Sequence, residues 1–124
     1  MPHLIIEHSS NISQEPVIAL QHDIQKIMSE SEGGFTIERC KTRSFSFDKY
    51  FVGALSHNES SFIHITLKIL SGRSVEVRSS LSDKILCYLD QFVSNQNLNT
   101  KRCDISVDIA EMNIDTYSKS RIGE

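Results

Sequence analysis

The residues best suited to chemistry begin at the second position of the chain. Pro2 follows the initiator Met1, and an initiator methionine is generally removed when the second residue is small. Its removal would leave a free secondary amine on Pro2. An α-amino group titrates near pH ~8, and nearby cations or an apolar pocket lower that pKa. Since an unprotonated amine is a competent general base, Pro2 is a candidate for proton transfer, although the dipeptide alone also fits an ordinary second residue.

A row of cations is the second chemical feature. Residues 35–47 have the composition of one long strand, and its odd positions would point to one face of a sheet. That face would carry Arg39, Lys41 and Arg43 side by side. Like charges on one face repel each other, so the row indicates either a solvated face with acidic neighbours or a site for an anionic ligand.

Other reactive residue types carry weaker signals. The histidines lack metal-ligand spacing, and we expect His3 and His64 to be hydrogen-bonded structural or interface residues. The three cysteines form no C-x-x-C pair, and we expect each to be a reduced, buried, apolar residue. Phe45 and Phe47 are expected to pack in the core, with the wall of a ligand site as the alternative.

The elements that must position these residues follow a repeated plan. Strands are predicted at residues 2–8, 35–47, 62–70 and 103–109, and helices at about 13–30 and 74–95. Apolar residues at spacings of three and four give each helix one buried stripe. Gly33 and Gly34 end the first helix, and the tight turn at 71–73 leads to Ser74, which can cap the second.

This order predicts an α/β (α+β) fold of two consecutive βαβ units. Each unit has parallel strands, and together they form a four-stranded sheet with both helices on one face. We predict a single domain over residues 1–124, with units at 1–50 and 62–111 and a tail at 112–124. The sheet face without helices must be polar or covered by another subunit, which favours an oligomer.

The composition excludes several classes of protein. The chain has 124 residues, 39% apolar and 23% charged, as expected for one ordinary globular domain. A net charge of −3 gives no nucleic-acid footprint. No apolar run approaches the ~20 residues that span a bilayer, and no secretion signal is visible. We therefore expect a cytoplasmic protein with no nucleic-acid or membrane partner.

Several separated motifs, in order along nearly the whole chain to about residue 111, resemble the 5-carboxymethyl-2-hydroxymuconate isomerase family of the tautomerase superfamily. They are Met-Pro-His-Leu-Ile-Ile-Glu at 1–7, Asn-Ile at 11–12, Lys-Thr-Arg at 41–43, Asp-x-Tyr-x-Val-Gly at 48–53, Phe-Ile-His-Ile-Thr-Leu-Lys at 62–68, and Gly-Arg-Ser at 72–74 before a helix with Glu76 and Arg78.

The resemblance implies a homotrimer of two-βαβ subunits that needs no metal or organic cofactor. It implies isomerisation of a hydroxymuconate to its oxo isomer in homoprotocatechuate breakdown, with Pro2 and Arg73 as catalytic residues. Lys41 and Arg43 match a position where the family often has two arginines, and they would bind a small anionic substrate. Lysine keeps the charge at residue 41 but lacks the planar fork that binds a carboxylate with two hydrogen bonds.

Two alternatives remain open at the level of the sequence. The chain could be a tautomerase of another keto-enol substrate, such as an aryl pyruvate, because Lys41 and the middle loop depart from the family pattern. It could also be a non-catalytic trimeric binding module, because Pro2 cannot act as a base while Met1 remains attached.

Overall fold

The computed structural model describes residues 1–123. Its strands are β1 (His3–Ser9), β2 (Lys41–Phe47), β3 (Ser60–Leu70) and β4 (Arg102–Met112). Its helices are α1 (Gln14–Ser29) and α2 (Val75–Asn95), with single 3-10 turns at Ile37–Arg39 and Leu98–Thr100.

The four strands form one mixed sheet in the order β2-β1-β3-β4. β1 pairs parallel with β2, and β3 pairs parallel with β4, as a βαβ unit requires. The two units meet through the antiparallel pair of β1 and β3 in the middle of the sheet. The predicted fold of two βαβ units is therefore confirmed.

The two helices begin and end where local chemistry allows. α1 follows Ser13, has Pro16 in its first turn, and ends at Ser29. α2 follows Ser74, whose hydroxyl accepts a hydrogen bond from the Val77 amide at 3.2 Å. This bond satisfies one of the amide groups left unpaired at a helix start, so the predicted cap at Ser74 is confirmed.

Both helices cover the same face of the sheet. The residues of that face are fully buried, namely Leu4, Ile6, Ile63, Ile65, Leu67 and Ile69. The helices cover them with Val17, Leu20, Ile24 and Met28 of α1 and Leu81, Ile85, Leu89, Phe92 and Val93 of α2. These residues form one continuous core, which agrees with the stripes predicted from the sequence.

The other face of the sheet has no helix over it. It carries His3, Ile5 and Glu7 of β1, which lie opposite Lys41, Arg43 and Phe45 of β2 and Lys68, Thr66 and His64 of β3. Phe45 is 49% exposed and Phe47 is 37% exposed on this face. The prediction that these two rings pack in the core is wrong, because the strand register turns them away from the helices.

The start of β2 differs from the sequence prediction. Phe35 leaves the strand direction and is buried in the core, and the following Ile37–Arg39 form a 3-10 turn. The strand itself begins at Lys41. Arg39 therefore does not belong to a row with Lys41 and Arg43, and only two of the three predicted cations share the strand face.

The cysteines also differ from expectation. Cys87 is exposed on α2, and Cys40 and Cys103 are only half-buried. Burial nevertheless raises the pKa of the Cys40 thiol and of the Cys103 thiol. A raised pKa keeps a thiol protonated and a poor nucleophile, so these two residues fit a packing role.

The packing of α2 predicts a sharp difference between two leucines of that helix. Leu89 is fully buried, whereas Leu86 is 36% exposed. We expect Leu89→Ala to lower the free energy of unfolding by about 2–5 kcal/mol, because it removes buried methyl groups and leaves a cavity. Leu86→Ala, the matched control, should cost at most about 1 kcal/mol. Urea unfolding at one fixed protein concentration measures both, and equal losses would contradict this packing.

Candidate active site

The amino terminus lies beside the start of β2. Pro2 is buried, and its carbonyl accepts a hydrogen bond from the Lys41 amide at 3.1 Å. The register that follows pairs His3 with Lys41 and Ile5 with Arg43. Parallel pairing thus places the first residues of the chain next to the cationic start of β2.

A partly enclosed cavity of about 280 Å³ opens at this point. Met1 and Lys41 line one side of it. The carboxyl-terminal segment lines the other side with Tyr117, Lys119, Ser120, Arg121 and Ile122. The cavity is large enough for a small organic acid, and its wall carries three cationic side chains.

The electrostatics of the cavity act on the amino-terminal amine, which here belongs to Met1. Partial burial lowers the pKa of that amine below its usual value near 8.0. The charges of Lys119, Arg73, Lys41 and Arg39 lower the pKa further, in that order. Positive neighbours disfavour the protonated amine, so a free amine at this end of the chain is poised to be a neutral base.

Arg73 is held rigidly in the turn between β3 and α2. Its Nε donates to the Gly33 carbonyl at 2.8 Å, and Nη1 donates to the Leu70 carbonyl at 3.4 Å. Its guanidinium stacks over the ring of Phe35, 4.2 Å from the ring centre. A guanidinium has five N–H donors, so Arg73 keeps three for a ligand while its position is fixed.

Gly33 is required for this arrangement. A Cβ at Gly33 would lie 2.2 Å from the Phe35 ring, which is too close for any real contact. The glycine therefore supplies both the carbonyl that holds Arg73 and the space for the ring beneath its guanidinium. Gly33, which follows the end of α1, therefore also helps to position Arg73 in the second βαβ unit.

Arg43 has a different environment from Lys41. Its Nη1 lies 3.2 Å from His3 Nδ1 on the helix-free face of the sheet, and Arg43 does not line the cavity. The structure therefore brings Lys41 to the amino terminus and brings the Arg73 charge within reach of the amine. Arg43 lies two residues further along β2, on the helix-free face, in contact with His3.

The tail contributes to the cavity in a way that the sequence did not predict. Tyr117, Lys119 and Arg121 alternate along an extended segment and reach the cavity together. This alternation was the available signal, but no neighbouring element indicated which surface the segment would cover. His3 also belongs to the site, since its Nε2 lies 2.9 Å from the Tyr117 hydroxyl.

Hydrogen bonds tie the tail to the turn that carries Arg73. The Ser71 amide donates to the Met112 carbonyl at 2.9 Å, and the Ile114 amide donates to the Ser71 hydroxyl at 3.1 Å. The Tyr117 amide closes the next turn onto the Asn113 carbonyl at 3.0 Å. These bonds therefore connect the turn that carries Arg73 to the segment that carries Tyr117.

A larger cavity of about 500 Å³ lies elsewhere, between α1 and the edge of β2. Its lining is mostly hydroxyl, amide and aliphatic, with His8 as the one titratable residue among His8, Ser10, Ile12, Ser13, Gln14, Val17, Ile18, Gln21, Ser44 and Ser46. It offers no lysine or arginine to an anion. The smaller, cationic cavity at the amino terminus is therefore the better candidate for an acidic substrate.

Two further observations restrict the chemistry of the described residues. Within residues 1–123, no three His, Cys, Asp or Glu side chains lie close enough together to hold a metal ion. In the same part of the chain, no helix has the length and apolar character needed to cross a membrane. The arrangement that is present can bind an anion and can place an amine of lowered pKa beside it.

The fold recurs in solved structures at low sequence identity. A 5-carboxymethyl-2-hydroxymuconate isomerase from Deinococcus radiodurans R1 superposes with a TM-score of 0.84, at 22% identity, over 96% of this chain and 88% of that one. A 5-carboxymethyl-2-hydroxymuconate delta-isomerase gives a TM-score of 0.78, at 17% identity, over 99% and 89%. A fused 4-OT wild-type symmetric trimer gives 0.63, at 15% identity, over 95% and 91%.

Sequence comparison assigns the family. No curated protein sequence matches the chain. The family model of 5-carboxymethyl-2-hydroxymuconate isomerase, in contrast, matches residues 2–123, which is nearly the whole length. The match begins at Pro2 and includes Lys41, Arg73 and most of the tail. The chain therefore belongs to the 5-carboxymethyl-2-hydroxymuconate isomerase family.

Proposed function

We propose that the protein is a cofactor-independent isomerase that moves a proton on an unsaturated 2-hydroxy or 2-oxo acid with two or three carboxylates. The model for the reaction is the isomerisation of 5-carboxymethyl-2-hydroxymuconate in homoprotocatechuate breakdown. The observation that carries this proposal is the position of the chain start, where the Pro2 carbonyl accepts from the Lys41 amide beside a cavity lined by Lys41, Lys119 and Arg121. Burial and nearby cations, which lower the pKa of the Met1 amine at this end of the chain, support it.

The base in this proposal is the nitrogen of Pro2 after removal of Met1. The secondary amine would then occupy the buried start of β1, one residue further along than the amine of Met1. Its carbonyl would keep the hydrogen bond from Lys41, so its position would change little. Burial and positive neighbours favour the neutral form of the amine, which is the form that accepts a proton.

The proton transfer needs no change of oxidation state. The Pro2 nitrogen takes the proton of the 2-hydroxyl group of a dienol, so the O–H bond breaks and a dienolate forms. Electron density moves along the conjugated double bonds, and the protonated amine returns the proton to a carbon atom further along. One O–H bond is exchanged for one C–H bond, and substrate and product are isomers.

The cations have two tasks in this mechanism. Arg73 and Lys41 would bind carboxylates and stabilise the negative charge that develops on the dienolate. The same charges keep Pro2 neutral before the reaction. Arg43 would add its positive charge from the helix-free face, where it contacts His3. Lys41 would bind a carboxylate as a point charge, since it lacks the fork of an arginine.

We also propose that the chain forms a homotrimer. The helix-free face of the sheet exposes Phe45 and Phe47, and Phe51 nearby is 74% exposed. Exposed apolar clusters of this kind usually mark an interface, and the distant relative described above is itself a symmetric trimer. Sedimentation equilibrium should give three times the chain mass of 14.1 kDa, and a monomer at micromolar concentration would sink this proposal.

If Pro2 is the base, substitution of Pro2 should greatly lower activity and substitution of the other proline, Pro16, should not. We expect an untagged protein to lack Met1 by intact mass and to isomerise 2-hydroxymuconate. Pro2→Ala should lower kcat/KM by about 10²-fold or more, because a general base supplies a factor of about 10²–10⁴. Pro16→Ala, in the first turn of α1, is the matched control and should retain activity.

Two outcomes would contradict the proposal. A chain that retains Met1 in its native host has no proline amine. A processed chain that is inert towards dienols but active on the enol of an aryl pyruvate would be a tautomerase of another substrate class. Arg73→Ala in the same assay separates binding from turnover, because the loss of a charge that stabilises the dienolate lowers kcat as well as raising KM.

The cations should also control the pH dependence of the reaction. The base must be neutral, so kcat/KM should rise with pH and level off above the pKa of the amine. Lys119 is among the groups that lower the pKa of the Met1 amine, and the Pro2 amine would lie one residue further along. Lys119→Ala should therefore shift the acid limb of the profile to higher pH. Lys119→Arg keeps the positive charge and should leave the limb near its original position, and identical limbs in both variants would exclude this electrostatic role.

A further inference from the structure

Three side chains form a chain of contacts that ends at the cavity. Arg43 Nη1 lies 3.2 Å from His3 Nδ1, and His3 Nε2 lies 2.9 Å from the Tyr117 hydroxyl. The rings of His3 and Tyr117 meet edge to face, with centres 6.1 Å apart. Tyr117 in turn lines the cavity at the amino terminus.

The chemistry of arginine decides the protonation of His3. A guanidinium has N–H donors and no acceptor, so His3 Nδ1 must accept the hydrogen bond from Arg43. The proton of the neutral ring is then on Nε2. Burial, Arg43 and Lys41 all lower the pKa of His3, which favours the neutral ring that this geometry requires.

The tautomer of His3 then decides the direction of the Tyr117 hydroxyl. Because Nε2–H donates, the phenolic oxygen accepts, and the hydroxyl hydrogen must point elsewhere. Among the described residues, the hydroxyl has no other hydrogen-bond partner than His3. Tyr117 lines the cavity, so its hydroxyl hydrogen is free to donate to a ligand bound there, and the two residues behind it hold the phenolic oxygen in place.

The ligand atom that suits this donor follows from the rest of the wall. Lys41, Lys119 and Arg121 are cations and match the carboxylates of an acidic ligand. A neutral O–H donor matches a neutral oxygen that becomes negative during the reaction. We propose that Tyr117 donates its hydroxyl hydrogen to the oxo or enolate oxygen of the bound ligand, and that Arg43 and His3 are positioning residues that orient this donor.

This proposal takes only the class of ligand, a small 2-oxo dicarboxylate, from the proposed function. Its first test needs no activity. Long-range ¹H–¹⁵N spectra of the folded protein should show His3 protonated at Nε2. In Arg43→Met the Nδ1-protonated form should appear, because the donor that excludes it is gone. A wild-type His3 protonated at Nδ1 would overturn the proposal.

The second test separates the oxo group from the carboxylates by binding alone. Adipate and 2-oxoadipate differ only in the oxo oxygen, and both can be titrated by calorimetry. We expect Tyr117→Phe to weaken 2-oxoadipate binding by about 3- to 10-fold, the usual range for the loss of one hydrogen bond, and to leave adipate binding within about 2-fold. Tyr88→Phe, which removes a hydroxyl bound to Asp23 on the helices, is the matched control.

Two substitutions of His3 test its role in positioning Tyr117. His3→Gln keeps an N–H donor for the Tyr117 oxygen and should retain most of the preference for 2-oxoadipate, whereas His3→Leu should lose it as Tyr117→Phe does. Equal losses for both ligands in Tyr117→Phe, or no loss for either, would overturn the proposal. A protein that never isomerises a dienol but shows the selective loss would disprove the proposed function and leave this donor in place.

Discussion

The parallel pairing of the first strand with the second is the constraint on which the site depends. Its first hydrogen bond, from the Lys41 amide to the Pro2 carbonyl, fixes the chain start beside a cationic strand. The same register places His3 against Lys41 and Ile5 against Arg43. A parallel pair needs a crossover helix between its strands, so the first helix and the position of the amino terminus are consequences of one topology.

Concentrating positive charge around an amine is unfavourable, and the fold compensates for it locally. Arg73 is offset by two backbone carbonyls and by the Phe35 ring, which favours a cation on its face. Arg121 lies 3.7 Å from Glu38. No acidic side chain of residues 1–123 forms an ion pair with Lys119, and desolvation together with Arg39 and Arg121 lowers its pKa. The repulsion that remains favours the neutral form of the amine at the chain start.

The two faces of the sheet have different surroundings. Both helices cover one face and form the core that supports the first strand. The other face carries the contact of Arg43 with His3 and the exposed Phe45 and Phe47. The proposed site and the proposed subunit contact would therefore share this second face.

The sequence by itself determined the element order and both helical stripes, because helical and strand periodicity are local properties of the chain. The register that sets Pro2 beside Lys41 came only from the tertiary structure. The sequence did not determine the true start of β2, since Phe35 fits strand alternation but its ring fills the core beneath Arg73. It did not place Tyr117 or Lys119 either. The alternation of Tyr117, Lys119 and Arg121 in the tail does not indicate which surface the segment covers. Its path depends on hydrogen bonds to Ser71 and Asn113, which lie together only in the folded sheet.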